Sequence, residues 1–200
     1  MRYRRKIAVT LCTLAIGLTT PGISTATEKS SPGTFAGDFE LPQRWNDDFK
    51  PGTSCATPNS NGIYPIAKRR WFKQTDAASV ANHNNHPVPV KQHIKDVRTQ
   101  TVETSVQIKE KAELPKLMTN TFGFNYVYTE HWALKQVVGP YNLPAGKQGR
   151  LAWGFLILDT TNQNVTCGED LTWHEVGAPF DASIPESRYS ELRVDSTIEE

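Results

Sequence analysis

Eight consecutive apolar residues, Leu151-Ala152-Trp153-Gly154-Phe155-Leu156-Ile157-Leu158, place the tightest constraint on how this chain can fold. In an extended chain alternate side chains point to opposite faces. Leu151, Trp153, Phe155 and Ile157 therefore share one side, and Ala152, Gly154, Leu156 and Leu158 the other. Neither side suits water, so the run reads as a strand buried on both faces and central in a sheet.

Two further stretches alternate with a period of two. In residues 99–109, Val102, Thr104, Val106 and Ile108 fall on one parity, and Thr101, Glu103, Ser105, Gln107 and Lys109 on the other. This is the pattern of a half-exposed strand, and its β-branched content agrees. In residues 121–138, Phe122, Phe124, Tyr126, Tyr128, Trp132, Leu134 and Val138 share one parity. At roughly 3.3 Å per residue this stretch would extend about 55 Å. It predicts one very long strand, or two collinear strands meeting at a bend near Glu130. Its aromatic stripe reads as the inward face of a packed sheet, since aromatics dominate core energetics. The functional alternative is an exposed patch for a membrane interface or a glycan.

Residues 139–149 contain Pro140, Pro144, Gly146 and Gly149 and predict a turn. Three extended segments joined by turns predict an antiparallel meander. Residues 41–64 mix aromatics with Pro, Gly and Asn and predict irregular structure with short strands. Residues 66–80, with the basic run Lys68-Arg69-Arg70, read as strand or short helix. Residues 82–89 read as a loop, and the charged stretch from Ser187 as a fraying end. The expected fold is mainly β: an elongated antiparallel sheet or β-sandwich with long strands, forming one domain over residues 41–200. A flexible segment, residues 27–40, precedes it.

The N-terminus reads as an export signal. Arg2, Arg4, Arg5 and Lys6 precede a mostly apolar run over residues 7–18. Pro21-Gly22 and the small-x-small sequence Ser24-Thr25-Ala26 follow. That order defines a cleavable secretory signal, here residues 1–26, with cleavage between Ala26 and Thr27. The apolar run is shorter than the about 20 residues a membrane-spanning helix needs. Cleavage leaves 174 of the 200 residues, enough for one real core. It also removes four cations, taking the formal charge from +1 to −3. A slightly acidic chain lacks the basic footprint of a nucleic-acid binder.

Two cysteines remain, Cys55 and Cys167. In an exported chain they most economically form one disulfide. It would close a loop of about 110 residues, worth roughly 4–5 kcal/mol in the chain-entropy account. A catalytic thiol would need a base and an electropositive setting, and the sequence places neither beside these cysteines.

Other chemistry-bearing residues form weak patterns. His83, His86 and His93 have zinc-like spacing but lie in an Asn- and Pro-rich stretch without a nearby carboxylate before Asp96. They read as solvated loop histidines. Glu169-Asp170 and His174 could do acid–base work, yet no nucleophile accompanies them. Asn164-Val165-Thr166 matches a glycosylation sequon, read as chance. There is no G-x-S-x-G elbow, no S-x-x-K and no phosphate loop. The expectation is no enzyme, no cofactor and no metal.

Four segments together resemble aerolysin-like β-pore-forming proteins of the epsilon-toxin/mosquitocidal-toxin type. Thr101-Val102-Glu103-Thr104-Ser105-Val106 is similar to the first alternating strand, and residues 122–136 to the long aromatic- and Thr-bearing second. Tyr141-Asn142-Leu143-Pro144-Ala145-Gly146-Lys147 looks like the connecting turn, and residues 151–158 like the last strand. The resemblance implies a secreted β-protein that acts at target cell surfaces or membranes. Its partner would be a cell surface, a membrane or an extracellular protein ligand. Residues 99–109 have the length to cross a membrane as a strand, within a closed barrel. The alternative from the residues themselves is a small extracellular binding or inhibitor protein without membrane activity.

Overall fold

The computed structural model describes residues 39–107 and 109–197. The expected export signal, with its expected cleavage site at Ala26 and Thr27, and most of the segment 27–40 lie outside them. The described chain is mainly β, with one short α-helix.

Three long strands form the frame. They are β1 (Asn61–Asn82), of 22 residues, and two strands we number in chain order as β7 (Lys147–Cys167), of 21, and β8 (Trp173–Thr197), of 25. At roughly 3.3 Å per residue they span about 70 to 80 Å of chain. The short strand β4 (Glu103–Thr104) completes a curled antiparallel sheet in the order β1-β7-β8-β4. Beside it lie two small two-stranded sheets. One pairs β2 (Val88–His93) with β6 (Val137–Leu143), the other β3 (Arg98–Thr101) with β5 (Thr129–Trp132).

Residues 151–158 are all buried and lie in β7, which pairs with β1 on one side and β8 on the other. The two apolar faces of this strand serve two cores. On one face Leu158 packs with Ile184, Phe180, Val102 and the helix α1 (Leu114–Phe122). On the other, Leu151, Trp153, Phe155 and Ile157 pack with Trp132 and Val138 from the small sheets and with Ile94, just after β2. A third cluster, Val165, Cys167 and Trp173, closes the hairpin end.

The connectivity differs from a meander. Only β7 and β8 are both consecutive and adjacent in the large sheet; β1 and β7 are partners separated by residues 83–146. That excursion supplies the covering layers for both faces of β7, which is why it must intervene between two paired strands.

Residues 121–138 do not form a long strand. Residues up to Phe122 belong to α1, Gly123 caps the helix in the left-handed region (φ 77°), and β5, a turn and β6 follow. Buried positions run Leu114, Met118, Phe122 and Tyr126, every fourth residue, whereas Phe124, Tyr128 and Leu134 are exposed. The spacing of four is helical in origin, and Pro115 in the first turn starts the helix. Residues 99–109 are also broken. Val102 is buried between β3 and β4, but the chain then bends, with Thr104 Oγ1 donating to Val106 O, and Val106 is exposed. Ile108 lies outside the described residues.

Of the smaller expectations, one is settled and two change. Residues 66–80 are strand throughout β1, and the loop after it is residues 83–87. Gly139-Pro140 lies inside β6 rather than in a turn. The β2–β6 register skips Lys91 at that point, so the missing proline N–H breaks no regular ladder. The charged end from Ser187 does not fray: it pairs with β7, Ser187 opposite Leu156 and Thr197 opposite Lys147. The backbone of a fully buried strand must be hydrogen-bonded on both sides, and that demand outweighs the polar composition of its partner.

Candidate functional site

Residues 39–60 carry almost no regular structure, yet they are fixed along their length. Phe39 N–H donates to Arg70 O at 2.9 Å, an isolated bridge to the outer edge of β1. Further on, the segment crosses the C-terminal end of α1. The last carbonyls of a helix have no intrahelical partner. Here Trp45 N–H bonds Thr121 O at 2.8 Å and Asn46 Nδ2 bonds Asn120 O at 2.9 Å. Arg44 reaches back to Pro65 O, lies 4.4 Å over the Tyr64 ring and pairs with Asp47 at 3.6 Å.

This crossing holds Trp45 in an unusual position. Its indole lies against the backbone of Gly123, where any Cβ would collide with the ring. One side of the ring system is thus supported, and the residue remains 73% exposed, the most exposed large hydrophobic side chain among the described residues. Phe124, also exposed, sits with its ring centroid 4.6 Å from the Arg70 guanidinium.

Four residues after Trp45 the chain turns, with Lys50 N–H bonded to Asp47 O, and Phe49 takes a left-handed conformation (φ 64°). Its ring covers Gly62, again where a Cβ would collide, and meets Trp173 edge-on at 5.1 Å. The disulfide Cys55–Cys167, with Cα atoms 5.9 Å apart, ties the rest of the segment to the end of β7. Cys55 N–H also bonds Leu171 O, and Asn59 N–H bonds Cys167 O, both at 2.8 Å.

Between α1 and this end of the sheet lies an open groove of about 630 Å³. Phe49, Ile63, Leu117, Val165 and Val176 are its apolar lining residues, and Asn164 sits between Ile63 and Val176 in one row across β1, β7 and β8. Asn61, Asn120, Asn164, Glu113 and Lys116 also line it, and their side chains make no hydrogen bond or ion pair among the described residues. Asn120 joins the groove to the Trp45 surface through its bond with Asn46. An apolar concavity with a few convergent polar groups is the usual form of a ligand site.

The residues with catalytic or metal-binding patterns are not assembled into such a site. His174 Nε2 lies 2.9 Å and 3.1 Å from the Asp170 carboxylate oxygens across the tight β7–β8 turn. The hydrogen bond from His174 holds the Asp170 carboxyl below its usual range, but both side chains are exposed. The pair pins the hairpin turn. His83, His86 and His93 do not converge; His86 bonds Asn85, and His93 lines a separate 230 Å³ hollow with Asp76, Asp96 and Arg98. Among the described residues no three His, Cys, Asp or Glu side chains are grouped to hold a metal ion. Asn164 of the sequon lies in β7 and rims the groove.

Fold and site together define a mainly β, disulfide-linked protein carrying an apolar groove beside an exposed indole. Among the described residues no helix is long and apolar enough to cross a membrane. No family model, curated protein or solved structure matches the chain. Sequence reasoning missed Trp45 and Phe49 as site residues. The signal for them was an isolated pair of aromatics, four apart, in a stretch otherwise rich in Pro, Gly and Asn.

Proposed function

We propose that this chain is exported and works outside the cytoplasm as a binding protein at cell surfaces, with the Trp45 surface and the adjoining groove as its contact region. The observation that carries the reading is Trp45 itself. A folded chain ordinarily buries tryptophan, and here hydrogen bonds, a glycine and a disulfide-anchored segment together hold one outward. Exposed aromatic side chains on a rigid support are the usual anchors of recognition surfaces. The basic-apolar-small order of residues 1–26 and the disulfide support the compartment.

The aerolysin-like alternative requires strands to leave the sheet and insert into lipid. Among the described residues, 83–146 are the only large excursion between paired long strands, and they cover both faces of β7. Insertion would empty two cores at once, which favours surface binding without membrane penetration.

The test uses fluorescently labelled, disulfide-intact mature protein on whole bacterial and eukaryotic cells and on dye-loaded liposomes. Saturable cell binding that falls in Trp45→Ala, without dye release, is the expected result. Dye release accompanied by SDS-resistant oligomers would replace this reading with the pore-forming one. Mass spectrometry of culture supernatant checks export: the expected N-terminus is Thr27, and a retained Met1 would refute it.

A further inference from the structure

The chemistry of the contact surface narrows what it takes. Resting on the binding reading above, we propose that the ligand is a neutral oligosaccharide. Trp45 stacks on the C–H face of one sugar ring, and the groove beyond Asn120 receives the rings that follow.

A pyranose ring presents two surfaces at once: an apolar face of C–H bonds and a rim of hydroxyls, each both donor and acceptor. Its complement is a flat apolar platform flanked by groups that also donate and accept. The indole of Trp45 is such a platform. Gly123 supports it from behind, and it stays open to solvent. Asparagine amides are the matching polar groups, because each offers two N–H donors and a carbonyl acceptor. Asn61, Asn120 and Asn164 stand at the groove with their side-chain capacity unspent. A volume of about 630 Å³ suits a short oligosaccharide better than a single ring.

The charges argue against the other classes. A phosphate or an anionic lipid headgroup needs free cations, and of the nearby ones all but Lys116 are engaged. Arg44 and Lys50 both pair with Asp47, and Arg70 with Glu186. Lys116 stands without an ion pair, but Glu113 is one helical turn away on the same groove. A neutral bilayer interface would ask for a continuous apolar patch, whereas Trp45 is followed directly by the Asn46–Asn120 amide contact.

The mature, disulfide-intact protein is titrated by calorimetry and by tryptophan fluorescence with cellohexaose, maltohexaose, chitohexaose and mannohexaose. Neutral and anionic phospholipid vesicles form the comparison arm. The expected result is saturable binding of at least one hexasaccharide with a Kd tighter than about 1 mM. Trp45→Ala weakens it by about tenfold or more, with circular dichroism and Tm unchanged. Trp45→Met keeps a side chain packed on Gly123 but offers no flat ring, and it shows the same loss; should the alanine variant unfold, the methionine variant decides. Asn120→Ala weakens binding less, with the fold intact. The proposal is overturned if no hexasaccharide binds, if vesicles bind and sugars do not, or if Trp45→Met binds sugar as well as the parent chain does. Cell binding that depends on Trp45 in the absence of hexasaccharide binding would defeat the sugar inference and leave the binding reading standing. Absence of cell binding as well would defeat both.

Discussion

Lys73 and Glu103 lie on the two opposite edge strands of the large sheet, β1 and β4, yet their Nζ and Oε1 atoms are 3.3 Å apart. In a flat sheet two intervening strands would separate those edges by about 14 Å, at roughly 4.8 Å per neighbour. The ion pair therefore bridges a sheet that has curled. Gln100, itself buried, donates a second hydrogen bond to the same Glu103 oxygen at 2.8 Å.

These contacts make the sheet closure pH-dependent in a defined direction. The Gln100 hydrogen bond first, then Lys73, hold the Glu103 carboxyl below its usual value. A carboxylate with a lowered folded pKa stabilises the fold above its unfolded value of about 4.3, and the contribution disappears as pH falls through the folded pKa. Glu103→Gln should cost under about 1 kcal/mol at pH 7, because the side chain is 61% exposed and water screens the pair. Urea denaturation across pH 7 to pH 3 should show the difference from the parent chain shrinking below about pH 4.3. A difference that grows as pH falls would contradict the assignment.

Tyr126 and Phe124 share a parity in sequence but not an environment. Tyr126 is buried, and its hydroxyl has no hydrogen-bond partner. Burial, and secondarily the Glu186 carboxylate, push its phenol up, so it stays protonated at neutral pH. Tyr126→Phe removes an unsatisfied buried group and should be neutral or stabilising by up to about 1 kcal/mol. Tyr126→Asp should prevent folding by burying a charge. Phe124→Asp, expected from alternation alone to be equally severe, should fold, since Phe124 is 39% exposed and lies over Arg70. Thermal melts of the three variants decide; unfolding by Phe124→Asp would restore the strand reading.

The sequence was most legible where one physical demand dominated. Residues 151–158 had no polar side to show, so a central strand was the only outlet. Cys55 and Cys167 were the only two cysteines outside the expected signal, and they are bonded. It misled where two periods coincide. Positions two apart include positions four apart, so Phe122 and Tyr126 satisfy a strand and a helix equally. The upstream residues Leu114 and Met118, with Pro115 between them, distinguish the two. Polar strands such as the end of β8 were illegible because their partners are set by backbone hydrogen bonds. The groove was illegible because it brings together separate stretches of chain spread from Phe49 to Val176.

Reduction of Cys55–Cys167 should cost roughly 4–5 kcal/mol by the chain-entropy account, given a separation of 112 residues. Guanidinium denaturation with and without reductant measures it. Thiol labelling of the denatured, unreduced chain should give no adduct. Because the bond also anchors the segment that carries Phe49 and Trp45, the Cys55→Ser/Cys167→Ser protein should lose groove binding even at temperatures where circular dichroism shows it folded. Unchanged binding in that variant would show that the hydrogen bonds at Cys55 and Asn59 suffice to hold the segment.

Arg70 on β1 and Glu186 on β8 provide the last test, because they meet across the strand between them. Nε bonds Oε2 at 2.9 Å and Nη2 bonds Oε1, with both side chains largely removed from water. Glu186 reaches this position because the β7–β8 register passes from Ser187 to Pro185 between Leu156 and Ile157, leaving it as the extra residue. The hydrogen bond from Arg70 to the Glu186 carboxylate raises the Arg70 pKa above its usual value. A two-point ion pair in a dry site is expensive to break from one side: removing one partner leaves the other charge buried, at a cost of about 3–5 kcal/mol. Glu186→Gln and Arg70→Met should each lose most of that amount. The double substitution Arg70→Met/Glu186→Leu should recover a large part, since well-packed apolar replacements of buried pairs are often neutral or stabilising. Denaturant midpoints of the two singles and the double complete the comparison. If the double variant is as unstable as the sum of Arg70→Met and Glu186→Gln, the residues are uncoupled and the ion pair does not hold β8 to β1.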